Sequence, residues 1–125
     1  MDHVGNLVYL KWTLRAAAAH STSVGWEPRR YRELGQGWIV RSHQITYRRP
    51  ALLGDEIVIR TWVEDFEKVS SIRQYRILRA RDESLLASAH TNWVFVDLAT
   101  LKMAAIPQEI QTAFGVFPAE IGEPG

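Results

Sequence analysis

One long, nearly uncharged helix, followed only by strand-like segments, is the feature that most constrains this chain. From about Val8 to Val24 the residues read as helix, with Tyr9, Trp12, Ala16 and Ala19 on one face. Leu10, Leu14 and Ala17 carry apolar character round much of the remaining surface, the pattern of a helix buried on nearly every side. Gly25 is a natural residue to end it, and Glu27-Pro28 opens a short second helical turn through Leu34 before Gly35 and Gly37 break it. After that the periodicity changes to two. Trp38 to Tyr47, Glu56 to Glu64, Ser70 to Arg79 and Leu85 to Val96 read as strands, joined by hairpin-length pieces that predict an antiparallel meander. Leu85, Ala87, Ala89, Thr91, Trp93 and Phe95 share one face, and its small central residues let something bulky lie close. With no second helix long enough to cover a sheet, one packing is economical. It is an α+β fold in which a curved antiparallel sheet wraps one long central helix. Pro107 to Gly125 reads as a short helical turn and a loose tail.

The 125 residues suit a single domain over positions 1–125. Cysteine is absent, which leaves no disulfide framework, thiol nucleophile or thiolate metal site and makes a cytoplasmic location the simplest expectation. No uncharged run approaches the roughly 18 residues of a membrane span, and the first residues have no signal-peptide pattern. A formal charge of +1 argues against a nucleic-acid partner, and the clusters Arg29, Arg30, Arg32 and Arg48, Arg49 read as solvated surface.

Just ahead of the helix, His3-Val4-Gly5-Asn6-Leu7-Val8-Tyr9-Leu10-Lys11-Trp12 sets small and polar groups where a helix N-terminus can bind. This stretch resembles the His-Val-Asn-Asn-x-x-Tyr-Leu-x-Trp signature of the hotdog-fold acyl-CoA thioesterases, the 4-hydroxybenzoyl-CoA thioesterase-like superfamily, with Gly5 in place of the first Asn. Tyr47-Arg48-Arg49-Pro50-Ala51-Leu52-Leu53-Gly54-Asp55-Glu56 is similar to the Tyr-x-Arg-Pro-Ala-x-x-Gly-Asp-x turn of the same proteins. Asn92-Trp93-Val94-Phe95-Val96-Asp97-Leu98-Ala99-Thr100 resembles their last strand and its turn. The three pieces stand in the family's order and spacing from His3 to about Ile110. The resemblance implies a hotdog fold, acyl-CoA or acyl-carrier substrates, no metal or organic cofactor, and a homodimer or homotetramer with the active site shared between subunits.

Thioester hydrolysis needs a polarised carbonyl, a positioned water or nucleophile, and room for the acyl group. Unpaired N–H groups at the positive end of the helix supply the first, with Tyr9 and Leu10 as the expected donors. Asn6 stands where the family keeps a polar side chain that orients water or thioester, and it also suits an N-cap; the two roles are compatible. The family's catalytic Asp stands ten residues before its Tyr, a position that falls upstream of Met1 here. A start placed inside the motif is the expected cause. In that register Asp2 takes the place of a family Gly; in a second, gapped register Asp2 is the family's Asp, and in either it could serve as the acid or be charge on a frayed terminus.

Tyr9 and Trp12 are expected on the acyl channel, although core aromatics need no ligand. Ser70, Ser71 and Arg73 begin a strand that in hotdog dimers approaches the partner's site and the pantetheine arm, although a polar strand start explains them as well. The helix has no Asp or Glu between Leu7 and Gly25, which disfavours helix-borne carboxylate chemistries. His20 reads as a cation satisfying carbonyls at the helix end, while His43 and His90 have no metal-ligand spacing. No Gly-x-Ser-x-Gly occurs, so a serine hydrolase is not expected. The sequence therefore predicts an acyl-CoA thioesterase, with a non-catalytic acyl-CoA or acyl-carrier binding protein as the alternative.

Overall fold

A computed structural model describes residues 4–117. The elements are α1 (Asn6–Ser23), α2 (Pro28–Leu34), β1 (Gln36–Tyr47), β2 (Ile57–Phe66), β3 (Ser70–Arg79), β4 (Leu85–Asp97) and α3 (Gln108–Phe114). The strands form one antiparallel sheet in the order β1-β4-β3-β2. The expected meander is therefore correct only for β2 to β4, because β1 pairs with β4 and not with β2. The reason lies in residues 48–56, which carry the chain across the end of the sheet. Arg48 and Arg49 donate their N–H groups to Leu86 O, Val4 N–H donates to Ala51 O at 2.8 Å, and Ala80 N–H donates to Glu56 O at 2.9 Å. Leu86 lies on β4, next to β1, and Ala80 follows β3, so the chain crosses both and enters β2 at the opposite edge.

Cross-strand rows explain how the helix lies on the sheet. Ile45 pairs with Ala89, Ala89 with Tyr75, and Tyr75 with Thr61; the next row runs Tyr47, Ala87, Ile77, Ile59. The alanines in both rows sit at the centre and let α1 approach closely, as their spacing predicted. Tyr9 packs with Ala51, Ile77, Leu86 and Ala87 at one end of the helix, and Ala17 packs with Tyr75 and Ala89 farther along. Tyr9 also meets Trp12 and Tyr47 edge-on, with ring centroids 5.1 and 5.0 Å away.

Burial of the helix on nearly every side is not observed. Its buried strip is Tyr9, Thr13 and Ala17, an i, i+4, i+8 line, whereas Ala19 is exposed, Trp12 and Ala16 are half-buried, and Leu7 is 65% exposed. A sheet covers only one side of a helix, and among the described residues Leu7, Val8 and Leu14 of α1 stay exposed. The short helical turn expected after Pro107 is α3, but the chain is not loose up to Phe117. Ile110 and Phe114 of α3 join Trp26, Val63, Phe95 and Ile106 in a cluster, and Phe117 N–H donates to Val63 O at 2.8 Å.

Tyr9 holds the crossing segment to the helix, since its hydroxyl accepts the buried Ala51 N–H at 2.8 Å. Tyr9→Phe keeps the ring and orphans that donor, so the protein is expected to lose about 1–3 kcal/mol of stability. A urea unfolding curve measures it; an unchanged midpoint would mean that Ala51 finds another partner.

Candidate functional site

Helix α1 opens at Gly5, which has extended dihedrals (φ −72°, ψ 154°) and no side chain to cap with. Asn6 is thus the first helical residue, not the N-cap, and its side chain is exposed. A capping side chain stands at the position Gly5 holds and reaches forward to the N–H groups of the first turn, so the capping role expected of Asn6 is not realised. By helix geometry the N–H groups of Asn6 and Leu7 have no carbonyl within the helix, while Val8 N–H bonds Gly5 O at 3.1 Å. Tyr9 and Leu10 lie one turn farther in; Tyr9 is 2% exposed with its hydroxyl engaged, and Leu10 is half-buried. Among the described residues, the open donors are therefore a turn earlier than the sequence suggested.

Beside this helix end lies a cavity of about 330 Å³ walled by Val4, Gly5, Val8, Trp12, Leu52 and Asp55, among others. Asp55 is the carboxylate that sequence reasoning passed over, because Gly54-Asp55 read only as the close of a turn. It does close the turn. Its Oδ2 accepts Leu52 N–H at 2.9 Å and Arg79 Nε at 3.1 Å. The Leu52 N–H, and after it Arg79, hold this carboxyl below the usual carboxylate range despite opposing desolvation. A carboxylate so engaged is a weak base. Asp2 lies outside the described residues.

The remaining predicted residues gather at the other end of α1. Asn6 and His20 are separated along the helix by roughly 21 Å at 1.5 Å per residue, so the chain does not bring Asn6 together with Ser71 and Arg73. Ser71 Oγ donates to Asp65 O at 2.8 Å, tying β3 to the irregularity that shifts the β2 register between Val63 and Asp65. Ser70 is half-buried. Arg73 is 5% exposed, and its Nη1 donates to Thr61 Oγ1 at 3.1 Å and lies 2.9 Å from His20 Nδ1. Burial, and after it Arg73, lower the pKa of His20, so the ring is neutral and Nδ1 accepts from the guanidinium. His20 is therefore not the helix-end cation that the sequence suggested. Among the described residues no group of three or more His, Cys, Asp or Glu could hold a metal ion. No helix there is long and apolar enough to cross a membrane.

This histidine gives the fold an acid sensitivity. Folded His20 binds a proton less readily than the unfolded chain, whose ordinary value is 6.5, so unfolding takes up a proton and stability falls as pH drops below that value. His43, lowered by burial and then by His90, acts in the same direction. Melting temperatures between about pH 7.5 and about pH 5 should fall with acid, and His20→Gln, which can still accept from Arg73, should flatten part of that slope. An equally steep fall in the variant would assign the effect elsewhere.

A family profile described as the thioesterase-like superfamily matches residues 1–114. A chloroplastic acyl-[acyl-carrier-protein] hydrolase from Cuphea viscosissima is 28% identical over 74 residues, 59% of this chain and 18% of its own length. The chain thus spans less than a fifth of the curated relatives it matches. A 1,4-dihydroxy-2-naphthoyl-CoA thioesterase from Synechocystis superposes with a TM-score of 0.82 at 24% identity, covering 90% of this chain and 83% of that one. A hypothetical protein from Staphylococcus aureus, solved in complex with CoA, gives 0.86 at 15% identity, covering 100% of this chain and 77% of that one. The curved sheet on one long helix is the hotdog architecture of these neighbours, and this chain belongs to the thioesterase-like superfamily.

Proposed function

We propose that this chain hydrolyses the thioester of an acyl-CoA or acyl-carrier substrate. The observation that carries the reading is the opening of α1 beside a cavity, within the family's motif, with the Asn6 and Leu7 N–H groups at the positive end of the helix. Water adds to the carbonyl carbon, the C–S bond breaks, and a carboxylate and a thiol leave. In this reading the free N–H groups and Asn6 meet the developing oxyanion. Tyr9 positions the loop through Ala51, and Leu10 and Trp12 contact the acyl group. The acid that activates water is an aspartate preceding Met1, with Asp2 as its stand-in. Support comes from Asp55, the carboxylate among the described wall residues, which is already committed to Leu52 and Arg79. The same engagement favours a second reading, an acyl-CoA or acyl-carrier binding protein without turnover. A free-thiol release assay over short, long and aromatic acyl-CoAs separates them: release supports hydrolysis, and tight binding without release supports the second.

The reading includes self-association and a cytoplasmic location. β1 is an edge strand with Ile39 and Val40 42% and 43% exposed, and α1 leaves Leu7, Val8 and Leu14 uncovered. Unpaired edges and apolar patches of this kind are covered by pairing across a two-fold axis. Such a dimer would carry Ser70, at the start of β3, toward the helix N-terminus of the other subunit, while Ser71 and Arg73 are buried and engaged within their own. Light scattering at micromolar concentration should give the mass of a dimer or tetramer, and a monomeric mass would contradict this part of the reading.

A further inference from the structure

We propose that a second cavity, between the C-terminal half of α1, α2, α3 and the sheet, binds a carboxylate on an apolar body, with Arg73 as its counter-ion. The cavity has a volume of about 390 Å³. That lies at the lower end of the roughly 300–1,000 Å³ of small-molecule sites, too small for a whole nucleotide cofactor and suited to a compact acid. Most of its wall is apolar: Leu14, Trp38, Val63, Phe66, Leu98 and Phe114. Its charge is of one sign, since Arg73 and Arg32 line it and no Asp or Glu does among the described residues.

Arg73 is the informative group. Its hydrogen-bond partners, His20 and Thr61, are neutral, and no carboxylate among the described residues pairs with it. A buried, uncompensated guanidinium is costly, and an anion in the cavity would remove that cost. A second donor stands ready, because Trp26, 3% exposed and on the same wall, has its buried Nε1 without a hydrogen-bond partner. The hydroxyl groups nearby are engaged within the protein, Ser21 Oγ donating to Trp26 O at 2.6 Å. Tyr31 Oη takes the Trp38 indole at 3.1 Å and shares a hydrogen bond with Ser21 Oγ at 3.0 Å, while the Ser71 hydroxyl goes to Asp65 O. Vacant donors, one buried cation and apolar walls select a monoanionic acid over an alcohol or an amine. The cavity lies at the end of α1 opposite Asn6, and the inference stands whether or not the chain cleaves thioesters.

Decanoate and decan-1-ol, titrated separately into the full chain by calorimetry, test it. Decanoate is expected to bind once per chain and at least tenfold more tightly than the alcohol, quenching tryptophan fluorescence as it enters. Arg73→Met should bind decanoate at least tenfold more weakly, yet melt no lower than the parent without ligand, because an unpaired buried cation has been replaced by an apolar chain of similar length. Ala18→Trp, at an exposed helix position on the cavity wall, should block decanoate while leaving the melting temperature unchanged. Equal affinity for acid and alcohol, unweakened decanoate binding in Arg73→Met, or no binding of decanoate by the parent chain would overturn the proposal.

Discussion

An aspartate added three residues before Asp2, in the register fixed by Asn6 and Tyr9, is expected to raise thiol release by about 10²-fold or more. The expectation follows from what the helix N-terminus lacks. Open N–H groups can stabilise an oxyanion, but they cannot take a proton from water. Asp55 is a poor substitute, since its Leu52 and Arg79 partners stabilise the charged form and draw basicity from it. Parallel assays of the 125-residue chain, its Asp2→Asn variant and the extended chain decide the matter. Loss of residual activity in Asp2→Asn would make Asp2 the working acid, and equal rates with and without the extension would place the carboxylate elsewhere.

Substituting Asn6 should have the second largest effect, and the structure sharpens what is expected. Because Gly5 holds the cap position and the Asn6 side chain is exposed, Asn6→Ala should change stability by no more than about 0.5 kcal/mol. Turnover in the extended chain should nevertheless fall by about 10- to 100-fold, as for a lost oxyanion or water-orienting donor. Asn6→Asp places an acid in the first helical turn, which favours folding, yet it removes the amide donor and sets negative charge beside the developing oxyanion. A stable and slow Asn6→Asp protein is the expected result. Full activity would end the catalytic role of this residue. The measurement belongs in the extended chain, where a new carboxylate at position 6 has no missing base to replace.

The architecture was legible because it rests on local periodicity. Period two over Ser70 to Arg79, small residues at Ala87 and Ala89, and Pro28 at the start of a short helix are instructions that neighbouring residues carry themselves. The helix N-terminal motif was legible for the same reason, since Gly5 to Trp12 lie within about two turns. Strand order was not, because a hairpin and a crossing segment can have the same length. The anchors that send residues 48–56 across the sheet, Leu86, Val4 and Ala80, come from three distant places in the chain. The exposed side of α1 escaped the sequence as well: apolar periodicity marks a face to be covered but not whether the cover is in the same subunit. The same limit hid the pairing of Arg73 with His20, 53 residues apart, and the engagement of Asp55 by Arg79, 24 residues away. Sequence alone determined the elements and where α1 starts, because those depend on neighbours along the chain. Only the tertiary structure decided which charges are spent and which stand unpaired, because a side chain's partner and its access to water are set by packing between remote segments.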